Sequence, residues 1–558
     1  KEKKEVIDII MPPLASVYSL LCDLPKYKKQ RNVVITLCLY KCMWKYGLRA
    51  HNLIGHQIIL MLLDVGHMLE AHEILKNSSF CIENLWNSLI TDLVKYGELN
   101  HAIGLYIQMQ EDRSLEPSIY AFSSLLKACG HTKDVKSGAA MHAEIARKWS
   151  LEKKCLHSNI LIDMYVRSGC LSKAQEVFDN LVVRDVVSWT SLMSGYVKHD
   201  HSEQVLQFFQ EMQIQGIYPN ALTYVCFLKA CGSLGAIEKG KELHAHLERK
   251  GLWEKEPILG NALVDMYVKC GCLTNAQQVF DNLPIRDVVT WTTLIGGYAN
   301  HDFGVEALNY YGNMQGEGVT PNAHTYVCSL KACGILKDAK KGKEIHSDII
   351  KKDLLKNEVV GSALIDMYGK CGLLAKAHEV FDQFHVQDVI SWNALITGYM
   401  KHNHNKEALS CYEQMQLKGV SPNAITYITI IKACANLGAI NKGEEIHAEI
   451  SKKASMERSL LVGSALVYMY TKCGLLEKAQ KIFDNILERD VITSNALIAG
   501  YVDHDCNNEA LVCFEKMESE GLSPDPVTFS FIFKACGGIG DSDKGREMHC
   551  EVARKGLL

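Results

Sequence analysis

Apolar residues along this chain recur with the spacing of a helical face, not with the alternation of a strand. Trp189, Leu192, Met193, Tyr196 and Val197 follow the i, i+3, i+4, i+7, i+8 pattern, which predicts a helix with one buried stripe. A polar break at His199–Ser202 comes next, with Ser202 as the expected N-cap. Val205, Phe208, Phe209 and Met212 then repeat the spacing in a second helix. Gly216 stands where a helix stop is expected, and Pro219 prevents continuation. Neither helix can bury its stripe alone. Stacking successive hairpins buries both, so the pattern predicts an all-α solenoid of two-helix units.

The pattern is periodic on a larger scale. Val186-Val-Ser-Trp-Thr-Ser-Leu-Met-Ser-Gly-Tyr returns from Val288, Val389 and Val491, at offsets of 102, 101 and 102 residues. A His landmark recurs at His142, His244, His346, His447 and His549, and Asp-Met-Tyr or a variant starts at Asp163, Asp265, Asp366 and Tyr468. Each period of about 102 residues divides into three related units. One of 35 or 36 residues ends in Pro-Asn, Pro-Asp or Pro-Ser; a second of similar length carries Leu-Lys-Ala-Cys-Gly and Gly-Lys-Glu-Leu-His; the third has 31 residues and ends in Arg-Asp or Gln-Asp. Triads start near 83, 186, 288, 389 and 491, giving an array over 83–558. Residues 14–82 read as degenerate copies of the second and third units, making about 16 units in all, and 1–13 remain unassigned.

Composition narrows the function. Hydrophobic residues make up 47% and charged residues 22% of the 558, which is ordinary for folded protein. No run of 18 apolar residues occurs, so no membrane span or membrane partner is expected. The formal charge of −4 means that any nucleic acid must be gripped by positive charge concentrated on one face. The 21 cysteines recur at fixed points such as Cys129, Cys231, Cys333, Cys434 and Cys536, which reads as buried thiols in a reducing compartment. Cys231 and His244 invite a metal reading, and so does the Cys270-x-Cys272 pair. One Cys and one His per hairpin supply two ligands where a closed zinc site needs four, so packing is favoured. No phosphate-binding loop, nucleophile elbow or deaminase signature is present, so neither catalysis, a small-molecule substrate nor a cofactor is expected. The chain begins at Lys1 instead of Met and stops at Leu558 soon after a strong helical pattern, so it reads as a fragment or processed form.

The unit lengths and their phrases, such as Asn261-Ala-Leu-Val-Asp-Met-Tyr-Val-Lys-Cys-Gly and Lys239-Gly-Lys-Glu-Leu-His, resemble the plant-type pentatricopeptide array of P, L and S motifs. The resemblance runs from about residue 14 to 558. It implies a right-handed superhelical solenoid that binds single-stranded RNA and reads one base per unit. In that family the fifth residue and the last residue of a motif do the reading. The P-type pairs are then Asn87 with Ser118, Thr190 with Asn220, Thr292 with Asn322, Asn393 with Asn423, and Asn495 with Asp525. The S-type pairs are Asn159 with Asp185, Asn261 with Asp287, Ser362 with Asp388, and Ser464 with Asp490. The implied target is C-N-U-A-N-U-A-N-G-Y-N-G-U, where N marks L units and Y is C or U. Fifth residues in the L units are Ser123, Val225, Val327, Ile428 and Ser530, and three of these five cannot hydrogen-bond a base edge.

Second positions in the reading units are mostly aliphatic: Val187, Ile258, Val289, Val359, Ile390, Leu461 and Ile492. The resemblance implies that they clamp the bases; alternatively they are core residues at a helix start. Lys198, Lys269, Lys370, Lys401 and Lys472 recur near the end of first helices and would contact phosphates, while a solvated helix end complementing the macrodipole is the other reading. Arrays of this kind also resemble the specificity module of plant organelle C-to-U editing factors. That resemblance implies a mitochondrial or chloroplast location, editing-complex proteins as further partners, and a deaminase-like extension outside these residues. RNA protection by binding alone and a protein-interaction scaffold are the alternatives.

Overall fold

A computed structural model of the chain describes residues 83–556, except 96, 98, 112–117, 149–154, 254–255, 384–386 and 454–458, together with Leu62. Apart from Leu62, the unassigned segment 1–13 and the degenerate repeats at 14–82 lie outside the described residues. The described residues form twenty-eight α-helices, and no strand occurs among them. The chain divides into two compact units between Cys272 and Leu273. The first unit holds five hairpins, from Glu83–Lys95 with Leu99–Glu111 to Ala221–Leu234 with Ile237–Arg249, and ends on the helix Pro257–Lys269. The second begins with the helix Leu273–Asn282 and continues through eight hairpins, from Val288–Asn300 with Gly304–Gly316 to Pro526–Ile539 with Ser542–Arg554.

Within each unit a first helix packs on its own second helix, on the preceding second helix and on the neighbouring first helices. The first helices therefore form a continuous row, and the core fills the space between that row and the second helices. The fourth hairpin shows how the sequence sets this up. Trp189, Leu192 and Met193 on Val186–Lys198 are buried, as are Val205, Phe209 and Met212 on Ser202–Ile214. The expected cap needs correction by one residue: His201 is the N-cap, without a side-chain bond, and Ser202 is the first helical residue and buried. The turn before it needs a left-handed residue. P-type units use Asp200, Asp302, Asn403 and Asp505 there, and S-type units use Gly169, Gly271, Gly372 and Gly474. Asp and Asn are the non-glycine residues that tolerate this region best.

The recurring phrases prove to be two sides of shared interfaces. Gly342, from the L-type phrase, lies against Met367 of Asp-Met-Tyr, where an added Cβ would come 2.5 Å from the methionine Sδ. Next to it, His346 Nδ1 and the Tyr368 hydroxyl are 2.8 Å apart. The same His–Tyr pairing joins His142 to Tyr165, His244 to Tyr267 and His447 to Tyr470, at 2.9–3.0 Å. Burial pushes Tyr267 and Tyr368 up to about 12, so both stay protonated hydroxyls. The next interface is aromatic. Phe178 meets Trp189 edge-on at 4.6 Å, Phe280 meets Trp291 at 4.7 Å, and Phe381 meets Trp392 at 4.5 Å. Burial pushes the Cys231 thiol up to about 12, as expected of a thiol packed in a core. Among the described residues no group of three or more metal-ligating side chains occurs, and no helix is long and apolar enough to cross a membrane.

Candidate nucleic-acid interface

The last residue of each P- and S-type motif has a structural duty. Ser118, Asp185, Asn220, Asp287, Asn322, Asp388, Asn423, Asp490 and Asp525 are all N-caps of the following first helix, each in an extended conformation. A cap must accept a hydrogen bond, so its oxygen turns inward. The Thr223 amide donates to Asn220 Oδ1 at 2.8 Å, the Ser391 amide to Asp388 Oδ1 at 2.9 Å and the Thr528 amide to Asp525 Oδ1 at 2.8 Å. The cap does not use the other atom of the group. That atom is Nδ2 in Asn220, Asn322 and Asn423, and Oδ2 in Asp185, Asp388, Asp490 and Asp525. Asparagine thus presents a donor and aspartate an acceptor.

Seven of the nine fifth residues bond their cap residue, directly or through one hydroxyl. Asn393 Nδ2 donates to Asn423 Oδ1 and Asn495 Nδ2 to Asp525 Oδ1, each at 3.1 Å. Asn159 reaches Asp185 at 3.5 Å, and Asn87 Oδ1 accepts from the Ser118 amide at 2.8 Å. Thr190 and Thr292 instead bond Thr223 and Thr325, at 2.8 and 2.7 Å, and those hydroxyls donate onward to Asn220 and Asn322. Ser464 joins its cap in the same way, bonding Thr493, whose hydroxyl donates to Asp490 at 2.5 Å. Ser362 donates to the Glu358 carbonyl at 2.9 Å. Asn261 lies half-buried on Pro257–Lys269 and Asp287 caps Val288–Asn300. At Asp525, burial works against ionisation, but hydrogen bonds from Thr528 and Asn495 outweigh it and hold the carboxyl below the ordinary range.

The second-position side chains are not core. Val187, Ile258, Val289, Val359, Ile390, Leu461 and Ile492 are all exposed, from 46% at Ile258 to 72% at Ile492. Seven aliphatic side chains held in water at one motif position need a reason other than folding. A groove of about 600 Å³ contains two of them, Val359 and Ile390, with Ser362, Asn393 and Asp388 between. A second groove of about 360 Å³ joins Asn159, Asp185 and Val187. The L-type units were not expected to contribute here. Yet Tyr120, Leu222, Ile425 and Val527 hold the same motif position and are exposed too. Their signal in the sequence was the motif frame alone.

The lysines divide into two groups. Lys269 and Lys370 each pair with the aspartate one turn earlier, Asp265 at 2.9 Å and Asp366 at 2.6 Å. Lys472 pairs with Asp503 at 3.1 Å. Lys198 and Lys401 are exposed and carry no ion pair among the described residues. The positive row is therefore weaker in S-type units than the count of lysines suggests.

This arrangement can be set beside known proteins. Models of the pentatricopeptide repeat match residues 85–114, 157–186, 362–388 and 464–491, and a related model of the same repeat family matches 184–233, 286–334, 387–436 and 489–538. The chain belongs to the pentatricopeptide repeat family. An Arabidopsis thaliana member named as chloroplastic is 32% identical over 485 residues, which is 87% of this chain and 78% of that protein. Another, named as mitochondrial, is 35% identical over 427 residues, 76% of this chain and 61% of its own length. A third is 34% identical over 449 residues, and there the match covers 80% of this chain but 53% of the relative. The chain thus spans only part of several relatives. The crystal structure of maize PPR10 superposes with a TM-score of 0.61 at 17% identity, covering 99% of this chain and 86% of that one. Its complex with an 18-nucleotide psaJ RNA element superposes at 0.57 with 16% identity, covering 95% and 90%. At that identity the likeness speaks for the solenoid fold.

Proposed function

We propose that this pentatricopeptide array binds single-stranded RNA sequence-specifically, with each P- and S-type unit reading one base and the L-type units acting mainly as spacers. The observation that carries the reading is the inward oxygen of the asparagine and aspartate N-caps, which leaves Nδ2 of Asn220, Asn322 and Asn423 and Oδ2 of Asp185, Asp388, Asp490 and Asp525 unused by the cap. Uracil and guanine carry a ring N–H on the pairing edge, which the outward carboxylate oxygen of Asp accepts. Adenine and cytosine carry a bare ring nitrogen there, which accepts from the outward Asn amide. Exposed aliphatic side chains from consecutive units would cover the two faces of each base. The fifth residue separates purine from pyrimidine by family resemblance, which gives C-N-U-A-N-U-A-N-G-Y-N-G-U.

Relatives named as chloroplastic or mitochondrial support an organelle transcript as the target. The P-L-S order favours recognition for a C-to-U editing factor over protection of RNA by binding alone. A scaffold that binds peptides would leave the cap chemistry and the exposed aliphatic row without a use.

The test is binding to an RNA with this string beside scrambled controls, followed by the double change Thr190→Asn with Asn220→Asp. Preference at that one nucleotide should move from A to U, by about 1–3 kcal/mol on the scale of base-edge readout. Equal affinity for matched and scrambled RNA would exclude base reading.

A further inference from the structure

Each of the four S-type units within 83–558 places a cation at the end of its first helix, and each of these cations already has a carboxylate. Arg167 pairs with Asp163 at 2.8 Å, Lys269 with Asp265 at 2.9 Å and Lys370 with Asp366 at 2.6 Å. In the fourth unit Tyr468 stands where the other three have Asp, and the carboxylate comes from elsewhere. Asp503, from the next first helix, bridges Lys472 at 3.1 Å and Lys534 at 3.3 Å. The hydrogen bond from Lys472, with that from Lys534, holds the Asp503 carboxyl below its ordinary range. Asp503 occupies the position that Lys198 and Lys401 hold in other P-type units. Asn300, at the same position in the triad starting near 288, accepts from Lys331 at 2.8 Å without adding a charge.

These carboxylates face the reading grooves. Asp366 and Lys370 line the groove that contains Ser362, Asp388 and Asn393. Asp163 lines the one with Asn159 and Asp185. Asp503 and Lys472 line a groove of about 550 Å³ with Asn495 and Ile492. Asp265 and Lys269 follow Asn261 at i+4 and i+8, on its face of the helix.

We propose that Asp163, Asp265, Asp366 and Asp503 occupy the phosphate seats of the S-type units and set how little those units add to sequence-independent RNA affinity. The inference rests on the RNA-binding reading given above. A phosphate that reaches one of these cations must displace a tethered carboxylate, which then recruits a counterion from solution. The exchange releases no net counterion, so the contact adds nothing to the salt dependence of binding. The P-type Lys198 and Lys401 release theirs. Affinity in the S-type units then depends on the base edge, and non-specific grip is held down.

The test uses the full 558-residue chain and two RNAs, the predicted string and a scrambled one. The quadruple variant Asp163→Asn, Asp265→Asn, Asp366→Asn and Asp503→Asn keeps side-chain shape and removes the charge. Each carboxylate charge removed should steepen log K against log salt by about 0.7, or roughly 2.8 for all four. Between about 0.05 and 0.2 M salt the variant should therefore lose roughly fifty-fold more affinity than the parent, for both RNAs alike. At about 0.05 M salt it should bind both RNAs more tightly than the parent, by at least roughly fifty-fold. Asn300→Asp should act in the opposite direction, making the slope shallower by about 0.7 through capture of Lys331. An unchanged slope in a variant whose thermal unfolding matches the parent overturns the inference. A fall in affinity also overturns it, because the carboxylates would then be orienting the cations toward phosphate. If the parent itself binds neither RNA, the RNA-binding reading fails and this inference fails with it.

Discussion

Asp388 separates the two duties of a last-position residue. Its Oδ1 accepts from the Ser391 amide at 2.9 Å and caps Val389–Lys401, while the cap leaves Oδ2 unused. Asp388→Ala removes both functions. Losing a cap costs about 0.5–2 kcal/mol, and chemical denaturation should show it. Asp388→Asn keeps an accepting oxygen, so stability should stay within about 0.5 kcal/mol of the parent. The outward atom changes from an acceptor to a donor, and the partner Ser362 is untouched. Preference at this nucleotide should move from G to A. Base-edge readout of about 1–3 kcal/mol corresponds to roughly five- to 150-fold in relative Kd. The assay is competition binding with four RNAs that differ only at that base. Two results would refute the reasoning: Asn destabilising the protein as much as Ala, or Asn leaving the base preference at G.

Three further outcomes follow from the packing and the exposed row. Val359→Ser with Ile390→Ser should leave thermal stability unchanged, since both side chains are exposed. RNA affinity should fall at least several-fold in a filter-binding assay, and unchanged affinity would remove the clamp. Phe381→Ala, opposite Trp392, should cost about 3–5 kcal/mol because both rings are buried. In a stacked array that loss should be local, so hydrogen exchange should rise first around 358–401 and not uniformly. Finally, burial holds the imidazoles of His142, His244 and His346 below the ordinary histidine range. A depressed folded-state value gives stability that is complete above about pH 6.5 and is lost as pH falls through the lower folded-state value. Unfolding midpoints should therefore drop on acidification below about pH 6.5. His346→Gln should flatten that drop, and a midpoint independent of pH from 7 to 5 would contradict the burial argument.

The hairpin array was legible from the chain because helix formation and burial are local, periodic properties. The stripe from Trp189 to Val197 and the stop at Gly216 needed only the spacing of apolar residues and a residue able to turn left-handed. The motif frame likewise located Asn393 and Asn423 as a pair thirty residues apart. What it could not supply was orientation. An asparagine in a sequence has both a donor and an acceptor, and the helix beginning at Ala424 decides which of them faces outward, by taking the oxygen for its cap. Nor could a hydrophobic letter at a helix start say whether Ile390 is buried or exposed, since that depends on where the neighbouring first helix lies. The lysines make the same point about charge. Spacing placed Lys370 one turn after Asp366, but only the fold brings Asp503 from a later hairpin onto Lys472. Sequence determines what repeats at short range; tertiary structure decides which atom of each repeated group is left facing the groove.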